Sequence, residues 1–421
     1  MMKSVLIILL LNLPLMAQNK LFDKLYQTYN NKKYFTFISD FRQGENTLDK
    51  TTKNICNVFY YSLLKNPGES EKYFNEMLTS GSEVHDSIMK DLYSISVINN
   101  VWLGDYKKSA DYSKILLQKY PNYIKKEDKE DYENSLLIWN AMTGVEKQEV
   151  VRRSDTKLSM KRDLAGLYNT PVTYNESTFD FVFDTGANFS TITESYAKKL
   201  ELIFTEGKIK VGAITGLKID AKIAWAKSFH IGNMEIRNAL FLVLPDEDLS
   251  FAGGAYKING IIGFPVIAEM GEVIISKEGE LTVPLTPSVS EKGNLLLDGF
   301  TPLVEVDYKN SPMCFTFDTG AKTTMLYVPF LRDYEKEITS VYKLEDIKFG
   351  GAGGDVKVNG YNLKDVELKI SDDKIILSGV SLIAESLKEK EEFMYGNLGQ
   401  DFISRFDYMD INFKYMTIDF K

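Results

Sequence analysis

Two textures divide this chain. From about residue 19 to 150, apolar and aromatic residues recur at intervals of three and four, with Lys, Glu and Asp between them. That is the period of helices with one buried face. Near residue 160 the period drops to two, and β-branched residues and glycines become frequent. Strands joined by tight turns are predicted from there to the C-terminus, interrupted by short helices at 193–200 and 329–336. The pattern predicts a multidomain α+β protein, a helical region followed by a β-rich one.

Within the helical part, Val101-Trp102-Leu103-Gly104-Asp105-Tyr106, followed by Ala110, Leu116 and Pro121, resembles a tetratricopeptide repeat. In that motif a small residue lets two helices approach and a proline closes the unit. Weaker hairpins of the same kind are read at 26–37 and 60–74. A short α-solenoid of about three helix pairs is therefore expected, because such units bury their faces only by stacking. A plain helical bundle fits nearly as well. Phe59, Tyr60, Tyr73 and Phe74 are read as core. The run Lys125 to Asp131 is read as a solvated helix face.

Composition narrows the chemistry. The 421 residues are 44% hydrophobic and 26% charged, with a net charge of -9. This is the balance of an ordinary globular protein with room for several domains. The acidic balance argues against a nucleic-acid partner, which selects a basic face. Only two histidines (His85, His230) and two cysteines (Cys56, Cys314) are present. The cysteines are too far apart to suggest a disulfide framework and are read as isolated buried thiols. With so little histidine, zinc sites and Ser-His or Cys-His catalysis are disfavoured, and no metal or cofactor is expected. Lys3, the apolar run from Val5 to Leu13 and Leu15-Met16-Ala17 read as an export signal over residues 1–17. The expected location is periplasmic or secreted. Nothing later in the chain has the length of a membrane span.

The strongest signal is a phrase that occurs twice. Phe181-Val182-Phe183-Asp184-Thr185-Gly186-Ala187 returns as Phe315-Thr316-Phe317-Asp318-Thr319-Gly320-Ala321. A single Asp-Xaa-Gly after a strand is most often a turn cap. Two copies in a matched frame suggest two similar lobes, each supplying one carboxylate to a shared site. The frame extends downstream. Gly260-Ile261-Ile262-Gly263 begins 76 residues after Asp184 (260 − 184), and Gly396-Asn397-Leu398-Gly399 begins 78 after Asp318 (396 − 318). Between them lie glycine-bearing stretches around Gly212 and Gly216 in one copy, and Gly351 and Gly353 in the other. A duplicated lobe accounts for the order, with residues 286–293 as linker. The expected domains are 18–155 (helical), 160–288 (first lobe) and 293–421 (second lobe).

Residues 165–421 thus resemble the aspartic proteases of the retropepsin and pepsin type. The resemblance implies that Asp184 and Asp318 are the catalytic pair and that the chain is an exported aspartic endopeptidase acting on extended peptides or unfolded protein. It implies that Thr185 and Thr319 bond backbone on the opposite loop, and that Gly186 and Gly320 leave space beside the carboxylates. Ile262-Gly263 and Leu398-Gly399 would pack behind the two loops. Asn397 departs from the pattern, since an apolar residue is more usual there. Ala187 and Ala321 stand where pepsin-like enzymes often carry a hydroxyl. Loss of that hydrogen bond should raise the pair's pKa and move the activity optimum toward mildly acidic or neutral pH. The two glycine hairpins look like flaps; no Tyr lies between Phe204 and Trp225. A fused, single-chain version of a retropepsin-like dimer is the expected arrangement.

Two other readings stand beside this one. One is a catalytically silent relative that binds extended peptides. The other is a scaffold whose helical repeats bind a protein partner. The helical region's role is open between recruiting substrate, tethering the enzyme to a partner and covering the cleft as a prosegment. Its length makes the last of these less suitable.

Overall fold

The computed structural model describes residues 20–421 except 213–217, 252–253, 292, 352–353, 371–372 and 387–389. The export signal, Gly216 and Gly353 lie outside the described residues.

Helices occupy 20–30, Tyr34–Gly44, Lys50–Leu63, Pro67–Thr79, Asp86–Leu103, Tyr106–Lys119 and Lys129–Met142. Local chemistry sets their ends. The Asp49, Asn66 and Asp105 side chains accept a backbone N–H at three helix starts. Such caps satisfy amides that the first turn leaves unpaired. Gly104 ends the Asp86–Leu103 helix at φ 81°, a left-handed position that favours glycine, and Asp105 starts the next helix at once. Leu25, Phe37, Phe59, Phe74, Leu92 and Trp139 fill the interior of this helical layer. Cys56 and Cys314 are both buried and free. No helix among the described residues is long and apolar enough to cross a membrane.

The β-rich part is built from three larger sheets. In the first, the Gly260–Ile262 strand runs parallel to Ser177–Phe183 on one side and antiparallel to Ser190–Thr193 on the other. Ser190–Thr193 in turn lies parallel to Met234–Leu244. The second sheet has the same local order. Gly396–Leu398 is parallel to Ser311–Phe317 and antiparallel to Met325–Leu326, which lies parallel to Asp373–Ile383. Each sheet also carries a long antiparallel hairpin, Ile203–Gly212 with Lys218–Ile231 and Glu345–Gly351 with Gly354–Ile370. The predicted short helices form at Glu194–Lys199 and Val328–Val341.

A five-stranded sheet joins the halves. Glu272–Ser276 pairs with Tyr408–Asn412 across its centre. Thr156–Ser159 lies on one edge and Thr417–Phe420 on the other. Glu149–Val151, on the helical side of the expected boundary, pairs with Met234–Leu244, so sheet structure begins earlier than the change of texture suggests.

The helical layer packs on the β region through an aromatic seam. Trp102 meets Phe264 and Phe300 edge-on, and Trp139 packs on Phe189. Polar ties reinforce it. Lys65 donates to the Ala268 carbonyl at 3.2 Å, and Lys32 pairs with Asp298 at 2.7 Å. At one sheet edge the Asn134 amide donates to the Lys210 carbonyl at 2.7 Å and accepts its N–H at 3.4 Å. Glu130 pairs with Lys218 on the facing strand.

Candidate active site

Each Asp-Thr-Gly segment leaves its sheet at the end of a strand buried on both faces. Phe181 and Phe183 in one copy, and Phe315 and Phe317 in the other, are essentially inaccessible. Their burial fixes where the following loop emerges. The chain then finds its partner in the neighbouring parallel strand. The Asp184 N–H donates to the Ile262 carbonyl and the Asp318 N–H to the Leu398 carbonyl, both at 3.0 Å.

Gly263 and Gly399 stand where no side chain would fit. A Cβ on Gly263 would lie 2.5 Å from the Phe189 carbonyl carbon, and one on Gly399 2.7 Å from that of Thr323. Their N–H groups donate to Ser190 Oγ and Thr324 Oγ1, each at 3.1 Å. Ile262, Gly263, Leu398 and Gly399 therefore lie directly behind the loops.

The loops cross at two buried threonines. The Thr185 N–H donates to Thr319 Oγ1 and the Thr319 N–H to Thr185 Oγ1, both at 3.0 Å. Each hydroxyl then donates across the junction, Thr185 to the Phe317 carbonyl at 3.0 Å and Thr319 to the Phe183 carbonyl at 2.7 Å. Both threonines are fully buried. Four hydrogen bonds in low dielectric thus join residues 134 positions apart.

This crossing brings the carboxylates together. A Cβ on Gly186 would lie 2.3 Å from the Asp318 carboxyl carbon, and one on Gly320 2.3 Å from that of Asp184. Each glycine backbone also holds its own aspartate: Gly186 and Gly320 N–H donate to Asp184 and Asp318 Oδ1 at 2.8 Å. The Ala187 N–H adds a second bond to Asp184 Oδ1 at 3.1 Å. Both aspartates keep partly exposed surface, so the pair opens to solvent.

Burial pushes the Asp184 carboxyl well above the usual carboxylate range. The Asp318 charge and a hydrogen bond with Asp318 push the same way, against the pull of the Gly186 and Ala187 amides. Two carboxyls so close cannot both ionise at ordinary cost, an arrangement that can hold one proton between them.

Several supporting residues were not singled out by their sequence pattern. Gln400 donates to the Thr319 carbonyl at 2.8 Å, while its N–H donates to the Ala321 carbonyl at 2.9 Å. Arg162 reaches Gln400 Oε1 at 3.1 Å. Asp401 accepts both the N–H and the hydroxyl of Thr324, at 2.7 and 2.8 Å. The only signal for Gln400 and Asp401 was their position just after Leu398-Gly399. Arg162 carries no local signal at all.

Of the hairpin glycines, Gly212 ends the Ile203–Gly212 strand and Gly351 ends Glu345–Gly351. His85 caps a helix start, its Nδ1 accepting the Ser87 N–H at 3.2 Å. His230 lies in the Lys218–Ile231 strand. Among the described residues no cluster of three or more His, Cys, Asp or Glu side chains could hold a metal ion.

No curated protein matches the chain. Residues 170–266 match the family model described as aspartyl protease, a span that contains Asp184, the Ile203–Ile231 hairpin and Ile262-Gly263, and this part of the chain is therefore similar to aspartyl proteases.

Proposed function

We propose that this protein is an exported aspartic endopeptidase that hydrolyses peptide bonds with water activated between Asp184 and Asp318. The observation that carries the reading is the reciprocal threonine crossing, with each loop's glycine set against the other loop's carboxylate. It sets two carboxyls side by side, where they can share one proton, which is the arrangement that amide hydrolysis needs. The ionised member takes a proton from the water, and the protonated member donates to the carbonyl oxygen as the tetrahedral intermediate forms. The roles then reverse to protonate the leaving nitrogen. The match of residues 170–266 to aspartyl proteases supports the same chemistry.

In this reading residues 160–288 and 293–421 are two lobes of a fused, retropepsin-like unit, each with a hairpin flap over an extended peptide. The helical domain, residues 18–155, is a brace of repeat-like helix pairs. Its Asn134 grips the edge of the first hairpin by a backbone-like pair of hydrogen bonds at Lys210. The raised Asp184 pKa supports an optimum nearer mildly acidic than strongly acid pH.

The test is cleavage of a diverse peptide library across pH by the mature chain, with and without a statine-type inhibitor. Inhibited cleavage is expected, and Asp184→Asn or Asp318→Asn should lower turnover by at least about 10³-fold, the scale of a lost general acid or base. Undiminished cleavage by either variant would refute the dyad. Peptide binding without cleavage by the native chain would leave the silent-relative reading in its place.

A further inference from the structure

The two Asp-Thr-Gly strands carry one matched difference. In the first half, Val182 pairs in register with Ile261 of the neighbouring parallel strand. In the second, the equivalent pair is Thr316 with Asn397. An apolar pair has thus been replaced by a polar pair at one register position, and both polar residues are deeply buried, at 3% and 5% exposure. Buried polar groups are costly unless bonded, and here they are. Thr316 Oγ1 donates to Asn397 Oδ1 at 2.6 Å, and the Asn397 amide donates to Asp318 Oδ2 at 3.4 Å. The buried Tyr327 hydroxyl lies beside Thr316.

The consequence is an asymmetric pair. Asp318 has a donor on each oxygen, Gly320 N–H on Oδ1 and Asn397 on Oδ2. Among the described residues, the backbone and side-chain donors from outside the pair reach Asp184 at Oδ1 alone. A proton placed on Asp318 would weaken a bond from one of its donors, because a protonated oxygen is a poorer acceptor, whereas Asp184 Oδ2 can carry it without such a loss.

We infer that Asn397, anchored by Thr316, is a positioning residue that sets the shared proton on Asp184 and keeps Asp318 as the ionised, water-activating carboxylate. The inference rests on the proposed peptidase reading. The titratable groups facing Asp318 are Asp184 from the opposite loop and Tyr327 from its own half. Farther out stand Glu391 near Tyr327, Arg162 on Gln400 and Asp401 on Thr324. Among the described residues, only Asn397 links a neutral side-chain donor directly to Asp318 Oδ2.

The experiment transplants the first half's pair into the second, as Thr316→Val with Asn397→Ile. Loss of a donor to the ionised form raises the acidic limb of the kcat/KM pH profile by about one unit. The alkaline limb and KM stay in place, because Asp318 is ionised on both sides of the second titration. An unmoved acidic limb overturns the inference, and an alkaline limb that rises instead assigns the proton to Asp318 and also overturns it. Thr316→Val alone, which unanchors Asn397, is the milder variant and should shift the acidic limb in the same direction by less. If the native chain cleaves no peptide, the peptidase reading fails by itself. Titration of ¹³Cγ-labelled aspartates in native and swapped chains then still decides whether Asp318 ionises first and whether the swap raises its midpoint.

Discussion

The two Asp-Thr-Gly loops are near copies that differ in what stands behind them. Both emerge from parallel strands, both cross through a threonine, and both set a glycine against the opposing carboxylate. Behind Asp184 the supporting pair is Val182 with Ile261, and behind Asp318 it is Thr316 with Asn397. The first loop gives Asp184 a second backbone donor from Ala187, whereas the Ala321 N–H turns to the main-chain carbonyl of Asp318. The comparison separates two tasks. The shared features build the pair, and the differences decide which member holds the proton.

The most severe way to break the shared features is to fill the space between the loops. Gly186→Ala and Gly320→Ala each place a methyl group 2.3 Å from a carboxyl carbon, so that carboxyl or its loop must move. A misplacement of about 1 Å at a reacting centre is enough to cost on the order of 10²-fold in rate. Each variant should therefore lose at least that much kcat while remaining folded. An alanine variant of normal kcat would show that the loops do not sit this close during turnover.

Thr185→Val and Thr319→Val test whether the crossing is as symmetric as its distances. Either change leaves a buried N–H and a buried carbonyl on the opposite strand without a partner. Each should lower unfolding free energy by on the order of 3 kcal/mol, taking about 1–3 kcal/mol per stranded group. Chemical denaturation of both variants measures it. Markedly unequal losses would mean that one loop carries the junction and the other merely follows.

The smallest expected effect lies in the sheet that joins the halves. Asp410 sits two register positions from fully buried Glu272 on the facing strand and directly opposite Asp419. Burial, then the Glu272 charge and a hydrogen bond with Glu272, raise Asp410 to about 7. A carboxyl raised above its unfolded value of about 3.9 adds stability while it stays protonated. That contribution fades as pH rises through about 7. Asp410→Asn should therefore be more stable than the native chain at pH 8, with the gap closing toward pH 4. Thermal unfolding at both pH values checks this. An unchanged pH dependence would move the sensitivity of this protein to other carboxyls raised by burial, Asp184 and Glu305 among them, which act with the same sign.

Much of this was legible in the residues themselves. The change of period near residue 160 announced helices followed by strands, because the two structures impose different spacings on buried side chains. The short helices at 194–199 and 328–341 fall where helical spacing returned. The doubled Asp-Thr-Gly and its downstream glycines marked the loops and their supports, because a turn that must approach another backbone leaves few residue choices. Thr156–Ser159 and Glu149–Val151 were less readable, being short edge strands whose partners lie about 80 to 130 residues away. The support of Thr319 by Gln400, and of Gln400 by Arg162, was invisible for a similar reason. A single polar residue carries no period, and its partner is chosen only when distant segments meet.

Sequence alone determined the local material: which stretches coil, which extend, and that two identical acidic turns exist. Tertiary structure decided that these turns interlock, how closely their carboxyls approach, and that Asn397 reaches one of them. The physical reason is range. Backbone preference and burial period act over a few residues, whereas a pKa depends on every charge and donor within several ångströms, whatever its place along the chain.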